Sequence, residues 1–253
     1  MKIHFVGAGP GDAELITVKG ARLLADAELI VYAGSLVNPD ILCHAGPAAR
    51  LVDSAGLDLD EQIRLMFAAV KEGRKVVRLH TGDPALYGAI QEQIDVLASR
   101  GVSCEIVPGV SSYSAAAAAV GRELTLPGVT QTVIITRLAG RTSVPEKESL
   151  RKLASHRASM CIFLSVGMID RVVEELAAGY TPDASVAVVE KASWPEQKII
   201  RGRLDEIAAK VHAAGIDKTA MILVGGFLSG ESFSPSRLYA PEFSHGYRQG
   251  KDK

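Results

Sequence analysis

Cysteine is scarce in this sequence, and its placement excludes two kinds of scaffold. Cys43, Cys104 and Cys161 lie far apart with no C-x-x-C pair, which argues against a structural zinc site and against a disulfide framework. The six histidines show no H-x-H or H-E-x-x-H spacing, so a catalytic metal held by the protein is not expected. Net charge is also lacking. The 28 Lys+Arg and 29 Asp+Glu leave −1, which disfavours broad electrostatic capture of nucleic acid but permits a local basic pocket. No stripe of interleaved aromatic and basic residues points to RNA. No apolar run reaches the roughly 18–20 residues of a membrane span. The N-terminus enters a strand directly, without the apolar core and cleavage site of a signal peptide. Cytoplasm is the expected location.

What is present is an ordinary globular composition, 47% hydrophobic and 23% charged over 253 residues, enough for one large or two modest domains. The first half alternates strand patterns (3–6, 29–32, 51–53, 75–80 and 103–107) with helical ones (15–25, 39–44, 59–72 and 85–100). Such alternation predicts a parallel sheet covered on both faces. Asp58 is placed to cap the third helix and Gly73 to end it. The alanine-rich run 111–120 reads as a buried helix. Gly and Pro recur over 121–130, which marks a domain boundary. Beyond it come strands 132–136 and 160–164 with helices 146–155 and 168–178. A hairpin follows, from 185–190 and 197–200 around Trp194-Pro195, then helix 204–214 and strand 220–224. This half predicts a mixed sheet with antiparallel members. The divisions drawn are 1–120, 121–242 and a polar, basic tail over 243–253 expected to be disordered.

Four strand-ending loops carry small residues where a backbone must approach a ligand. The first, Gly7-Ala8-Gly9-Pro10-Gly11-Asp12, starts like a dinucleotide-binding loop and then departs from it. Asp12 stands where the last glycine of G-x-G-x-x-G belongs, and Pro10 removes a backbone donor that a pyrophosphate would use. The second, His80-Thr81-Gly82-Asp83-Pro84-Ala85-Leu86-Tyr87, offers Gly82 for close approach, Asp83 as an N-cap and Pro84 at the first helical position. Its place beyond the carboxyl end of a parallel strand favours a ligand over a bare helix start. The third, Pro108-Gly109-Val110-Ser111-Ser112-Tyr113-Ser114, lacks the final glycine of G-x-S-x-G, so capping and backbone contacts are expected in place of a nucleophile. The fourth is Tyr32-Ala33-Gly34-Ser35-Leu36-Val37, a plain turn or the floor of a cleft.

In this order, the loops at 7–12, 81–84 and 108–112 resemble those of the tetrapyrrole methylase family, from the first strand to about Leu228. Residues 32–37 and 80–84, Gly121-Arg122-Glu123-Leu124-Thr125 and the loop 136–142 resemble the branch that methylates C11 of precorrin-4 in cobalamin biosynthesis. The resemblance implies two α/β domains with the active-site cleft between them, a homodimer, and S-adenosylmethionine as methyl donor. The implied cofactor contacts are Pro10, Gly82, Asp83, Leu86, Ser111, Ser112, Val166 and Ala192, with Ala220 and Met221 in the matching final strand. The substrate-binding candidates are Tyr32, Ser35, His80, Tyr113, Arg122, Arg137 and Arg141. For the tetrapyrrole's carboxylates Arg137 and Arg141 rank first, ahead of Arg122, Lys191 and Arg201, with His80 near the cofactor loop in sequence. Two positions depart from relatives. Ala33 replaces the aspartate of uroporphyrinogen methylases, so that carboxylate's mechanism does not transfer, and Lys191-Ala192 replaces a common asparagine-glycine. No general base is assigned. The alternatives are a cobalt-loaded substrate, another ring position, RNA or protein methylation, a nicotinamide dehydrogenase, and a ligand-binding module without catalysis.

Overall fold

A computed structural model of the chain describes residues 1–230 and 233–251. The chain divides into two compact units. One comprises Met1–Ala119 together with Val189–Lys198, the other Val120–Val188 together with Ile199–Lys253.

The first unit is built on five strands, β1 (Lys2–Gly7), β2 (Leu29–Tyr32), β3 (Arg50–Asp53), β4 (Val76–His80) and β5 (Ser103–Val107). They pair in the order β3-β2-β4-β1-β5, and every pairing is parallel. The expected parallel sheet is therefore present. Side chains alternate along each strand, which sorts the core into two layers. Ile3, Phe5, Leu29, Val31 and Val76 pack with Ile63, Met66 and Val70 of α2 (Leu59–Lys71) and with Leu97 of α3 (Gln91–Ser99). Val6, Ile30, Val77 and Leu79 face the other way, onto Leu24 of α1 (Val18–Asp26) and Ile41 of a 3-10 helix over Pro39–His44. The buried helix of the sequence reading is α4 (Ser112–Val120), in which Ala115, Ala116 and Ala117 are buried.

Several helix boundaries differ from the sequence reading. The pattern 146–155 splits into a 3-10 turn, Glu146–Glu148, and the short helix Leu150–Ala154, and two more differences lie in the first unit. The pattern 15–25 splits into a 3-10 turn, Ala13–Leu15, and α1 capped by the Thr17 hydroxyl. The pattern 85–100 yields a helix only from Gln91, because Tyr87 and Ala89 sit at φ 56° and 48°, a conformation no right-handed helix contains. Asp83 therefore caps a turn, not a helix.

In the second unit, β6 (Val133–Arg137), β7 (Ser159–Phe163), β8 (Ser185–Glu190), β9 (Lys198–Arg203) and β10 (Ala220–Val224) lie in the order β6-β7-β10-β8-β9. β6 and β7 are parallel, β10 and β7 antiparallel, as a mixed sheet requires. β8 and β9 are neighbours joined by the turn 191–197. Met160, Ile162, Val186, Val188, Ile222 and Val224 pack beneath α5 (Leu150–Ala154), α6 (Ile169–Leu176) and α7 (Leu204–Ala213). The tail expected to be disordered folds on itself in its described part. The Arg248 guanidinium donates to the carbonyls of Leu238, Ala240 and Phe243, and His245 pairs with Arg248.

Candidate active site

The chemistry-bearing loops of the first unit leave the carboxyl ends of β1, β4 and β5, the three adjacent strands at one side of its sheet. Their approach is close enough to dictate glycine. A Cβ on Gly7 would stand 2.6 Å from the Gly82 carbonyl oxygen and 2.7 Å from the Gly109 Cα. One on Gly109 would stand 2.2 Å from that same oxygen. At Gly82 itself a Cβ would meet nothing nearer than 3.6 Å, yet φ is +60°. The close approach assigned to Gly82 from sequence thus belongs to Gly7 and Gly109, and Gly82 is glycine for its left-handed backbone. The β1 and β4 loops are laced together. Ala8 N–H donates to the His80 carbonyl (2.7 Å), Gly9 N–H to the Gly82 carbonyl (3.3 Å), and Gly82 N–H to the Gly9 carbonyl (2.8 Å). Asp83 braces the third loop: one carboxylate oxygen accepts from Ala85 N–H (2.8 Å), the other from Gly109 N–H (3.0 Å). The Ser111 carbonyl opens α4 by accepting from Ala115 N–H.

Residues 191–197 dock on the first loop, a contact with no sequence signal because the partners are separated by more than 180 residues. Trp194 Nε1–H donates to the Pro10 carbonyl (2.9 Å), and Asp12 N–H donates to Ser193 Oγ (3.0 Å). A Cβ on Gly11 would collide with the Trp194 ring at 1.9 Å. Lys191 Nζ stands 5.4 Å from the centroid of that ring, within cation–π range, and Ala192 is buried beside it in sequence.

Next to these loops is a pocket of about 360 Å³, lined by residues that include Ala33, Leu36, Arg78, His80, Leu86 and Tyr87. His80 is 5% exposed and stacks on Phe5 with centroids 5.9 Å apart. Burial, reinforced by the charge of Arg78, pushes its pKa down to about 3. Arg78, which the sequence reading did not single out, lies mid-strand in β4 and is 4% exposed.

The structure thus brings Pro10, Gly82, Asp83, Ser111, Ser112 and Ala192 into the laced loops of the first unit, and His80 and Leu86 into the adjoining pocket. Tyr32 and Ser35 lie in the loop after β2, and Tyr113 in the first turn of α4. The remaining candidates are in the second unit. Arg137 ends β6, and its guanidinium donates to the Thr142 (3.1 Å) and Ser143 (2.6 Å) carbonyls, so it shapes its own loop. Leu138 N–H donates to Ser165 Oγ, which sets Val166 beside that loop. The antiparallel register of β7 and β10 brings Ala220 and Met221 to the same end of the sheet. Arg122 and Arg141 are exposed.

The tetrapyrrole (corrin/porphyrin) methylase family matches residues 2–208. A cobalt-precorrin-4 C(11)-methyltransferase of Methanocaldococcus jannaschii is 54% identical over 253 residues, 100% of this chain and 98% of that protein. A precorrin-4 C(11)-methyltransferase of Pseudomonas aeruginosa is 50% identical over 99% of this chain and 100% of its own. Among solved structures, a cobalt-precorrin-4 methyltransferase of cobalamin biosynthesis is similar with a TM-score of 0.88 at 48% identity, over 90% of this chain and 96% of that one. A uroporphyrin-III C-methyltransferase from Thermus thermophilus, complexed with S-adenyl homocysteine, reaches 0.76 at 30% identity, over 90% and 99%. With its strand-end loops, its two sheets and this match across most of its length, the chain belongs to the tetrapyrrole (corrin/porphyrin) methylase family.

Proposed function

We propose that the protein is an S-adenosylmethionine-dependent methyltransferase that methylates C11 of precorrin-4, in its metal-free or cobalt-loaded form, to give the corresponding precorrin-5 in cobalamin biosynthesis. The observation that carries this reading is the full-length identity of 54% and 50% to relatives of that name. Those two relatives differ in whether cobalt is named, and a metal carried by the macrocycle leaves no ligand set in the protein.

The first unit fits a sulfonium nucleoside. Gly7 and Gly109 let the loops pack backbone against backbone, and Gly11 lets Trp194 pack on the first of them, which fixes the backbone that this reading sets against a ligand. Pro10 withholds the N–H a pyrophosphate would need, and no cationic cradle is required. When bound, S-adenosylmethionine supplies a methyl group already activated on sulfur. In this reading Pro10, Gly82, Asp83, Leu86, Ser111, Ser112 and Ala192 hold that group. Asp83 acts by positioning, since both of its oxygens hold backbone N–H groups. An electron-rich ring carbon is itself a nucleophile, so the protein's main contribution is alignment, which is worth roughly 7–11 kcal/mol when reacting groups are well oriented. The reading carries with it a homodimer, as the family resemblance implies, and the cytoplasmic location expected from the sequence.

A nicotinamide dehydrogenase is the competing reading from another class. Calorimetry separates the two. The protein is expected to bind S-adenosylhomocysteine and not NADH; tight NADH binding without S-adenosylhomocysteine binding would overturn the proposal.

A further inference from the structure

A central strand of a parallel sheet, covered on both faces, is ordinarily apolar throughout. All five residues of β4 are buried, yet two of them are Arg78 and His80. Being two apart, they share a face, the one covered by α2 and α3. The Arg78 guanidinium donates to the Val31 carbonyl (3.2 Å), to Gln62 Oε1 of α2 (3.1 Å) and to Gln93 Oε1 of α3 (3.4 Å). All three acceptors are neutral, and they engage three of the five N–H groups that a guanidinium offers. No carboxylate among the described residues forms an ion pair with it. Burial lowers its pKa only to about 10, so it remains a cation at neutral pH. Beside it, His80 Nε2 is buried without a hydrogen-bond partner. A buried charge without a counter-ion is among the costliest features a fold can retain, and both residues line the 360 Å³ pocket. The rest of that lining mixes apolar Ala33, Leu36, Leu59 and Leu86 with polar Gln62, Thr81 and Gln93 and one acidic residue, the exposed Glu92. The buried guanidinium, with Glu92 exposed to solvent and not paired to it, suits an organic acid whose carboxylate enters first, and the guanidinium fork matches a carboxylate in geometry as well as charge.

We infer that this pocket is a carboxylate-binding site in which Arg78 receives an acetate or propionate arm of the tetrapyrrole, with His80 as a neutral neighbour. The inference rests on the proposed function for the identity of its ligand. Arg122, Arg137 and Arg141, the arginines singled out from sequence, are not among the residues lining this pocket.

The alternative is that Arg78 merely braces β2, α2 and α3. Uroporphyrin III, a stable tetrapyrrole with free carboxylates, and its octamethyl ester are the probes, titrated into the full-length protein in the presence of S-adenosylhomocysteine. The free acid is expected to bind the native protein, the ester at least tenfold more weakly. Arg78→Met removes the cation but also the brace. Gln62→Glu keeps a hydrogen-bond acceptor on Arg78 and supplies it with an internal carboxylate. That variant gives up the Gln62 Nε2–H bond to the Leu57 carbonyl (2.9 Å) while gaining an ion pair. It is expected to remain folded, to retain S-adenosylhomocysteine affinity, and to lose at least tenfold in affinity for uroporphyrin III. Unchanged uroporphyrin affinity in a folded Gln62→Glu protein would overturn the carboxylate site and leave the methyltransferase reading standing. A native protein that binds S-adenosylhomocysteine but not uroporphyrin III would likewise overturn this site as a receptor for tetrapyrrole carboxylates, while the methyltransferase reading is tested separately by methyl transfer to precorrin-4.

Discussion

A Cβ added at Gly109 would lie 2.2 Å from one backbone atom and 2.8 Å from another, the Gly82 oxygen and the Gly7 Cα. Neither belongs to a side chain that could turn aside. Gly109→Ala is therefore expected to destabilise the protein by about 1–3 kcal/mol, the usual range for overpacking, and to weaken S-adenosylhomocysteine binding. Gly82→Ala meets only ordinary contacts but must hold φ near +60°, which costs roughly 1–2 kcal/mol. Thermal melts and calorimetry of both variants check this; a Gly82 variant clearly less stable than the Gly109 variant would reverse the two roles. His80 gives a second prediction at this scale. Its folded pKa, about 3, lies below its ordinary value of 6.5. Between these values the unfolded chain binds a proton that the folded one refuses. Stability from this group is thus fully present above pH 6.5 and falls by up to about 1.4 kcal/mol per pH unit on acidification. His80→Phe keeps a ring against Phe5 and should flatten this limb in denaturant titrations from pH 7 to 4. An unchanged slope would remove His80 as its source. The glycines were conspicuous in the sequence, but only the folded chain tells a steric glycine from a conformational one. Arg78 was not conspicuous at all, because one arginine inside an apolar strand gives no sign of whether its head reaches water.

Elements were most legible where their determinants are local. Asp58 and Glu61 form the reciprocal capping box that opens α2, and Gly73 follows its end at φ +82°. β2 and β10 begin and end where their apolar runs do, and β5 keeps its expected bounds although it carries Ser103 and Glu105. The start of α3 was misplaced because Tyr87 and Ala89 take left-handed conformations, which nothing in their side chains announces. The 191–197 turn was legible as a turn but not as a support for the first loop, since its partner lies 184 residues away. Trp194 is the chain's one tryptophan, so its fluorescence reports on this contact. Trp194→Phe keeps a ring against Gly11 and removes the Nε1–H bond to the Pro10 carbonyl. A loss of about 1 kcal/mol in urea unfolding is expected, together with a several-fold drop in S-adenosylhomocysteine affinity. Unchanged values for both would show that the turn does not hold the loop.

At the scale of the whole molecule, the order of the loops carried more than any of them singly. A broken G-x-G-x-x-G, a T-G-D-P turn and a P-G-V-S-S turn are each compatible with bland structural roles, and in sequence they pointed to one family. The alternation of strands and helices gave the parallel sheet, and its loss after 180 gave the mixed one. A division drawn along the sequence keeps 189–198 with its chain neighbours, whereas the fold groups it with residues 1–119, because compactness depends on contacts distant in sequence. The family accounts for methyl transfer, and C11 of precorrin-4, for which two relatives are named, is the position proposed for this chain. The most direct measurement is incubation of the protein with methyl-labelled S-adenosylmethionine and either metal-free or cobalt-loaded precorrin-4, with the product read by mass and NMR. The account predicts one labelled methyl group at C11 of at least one of the two substrates. No transfer to either, or a methyl group at another carbon, would contradict it.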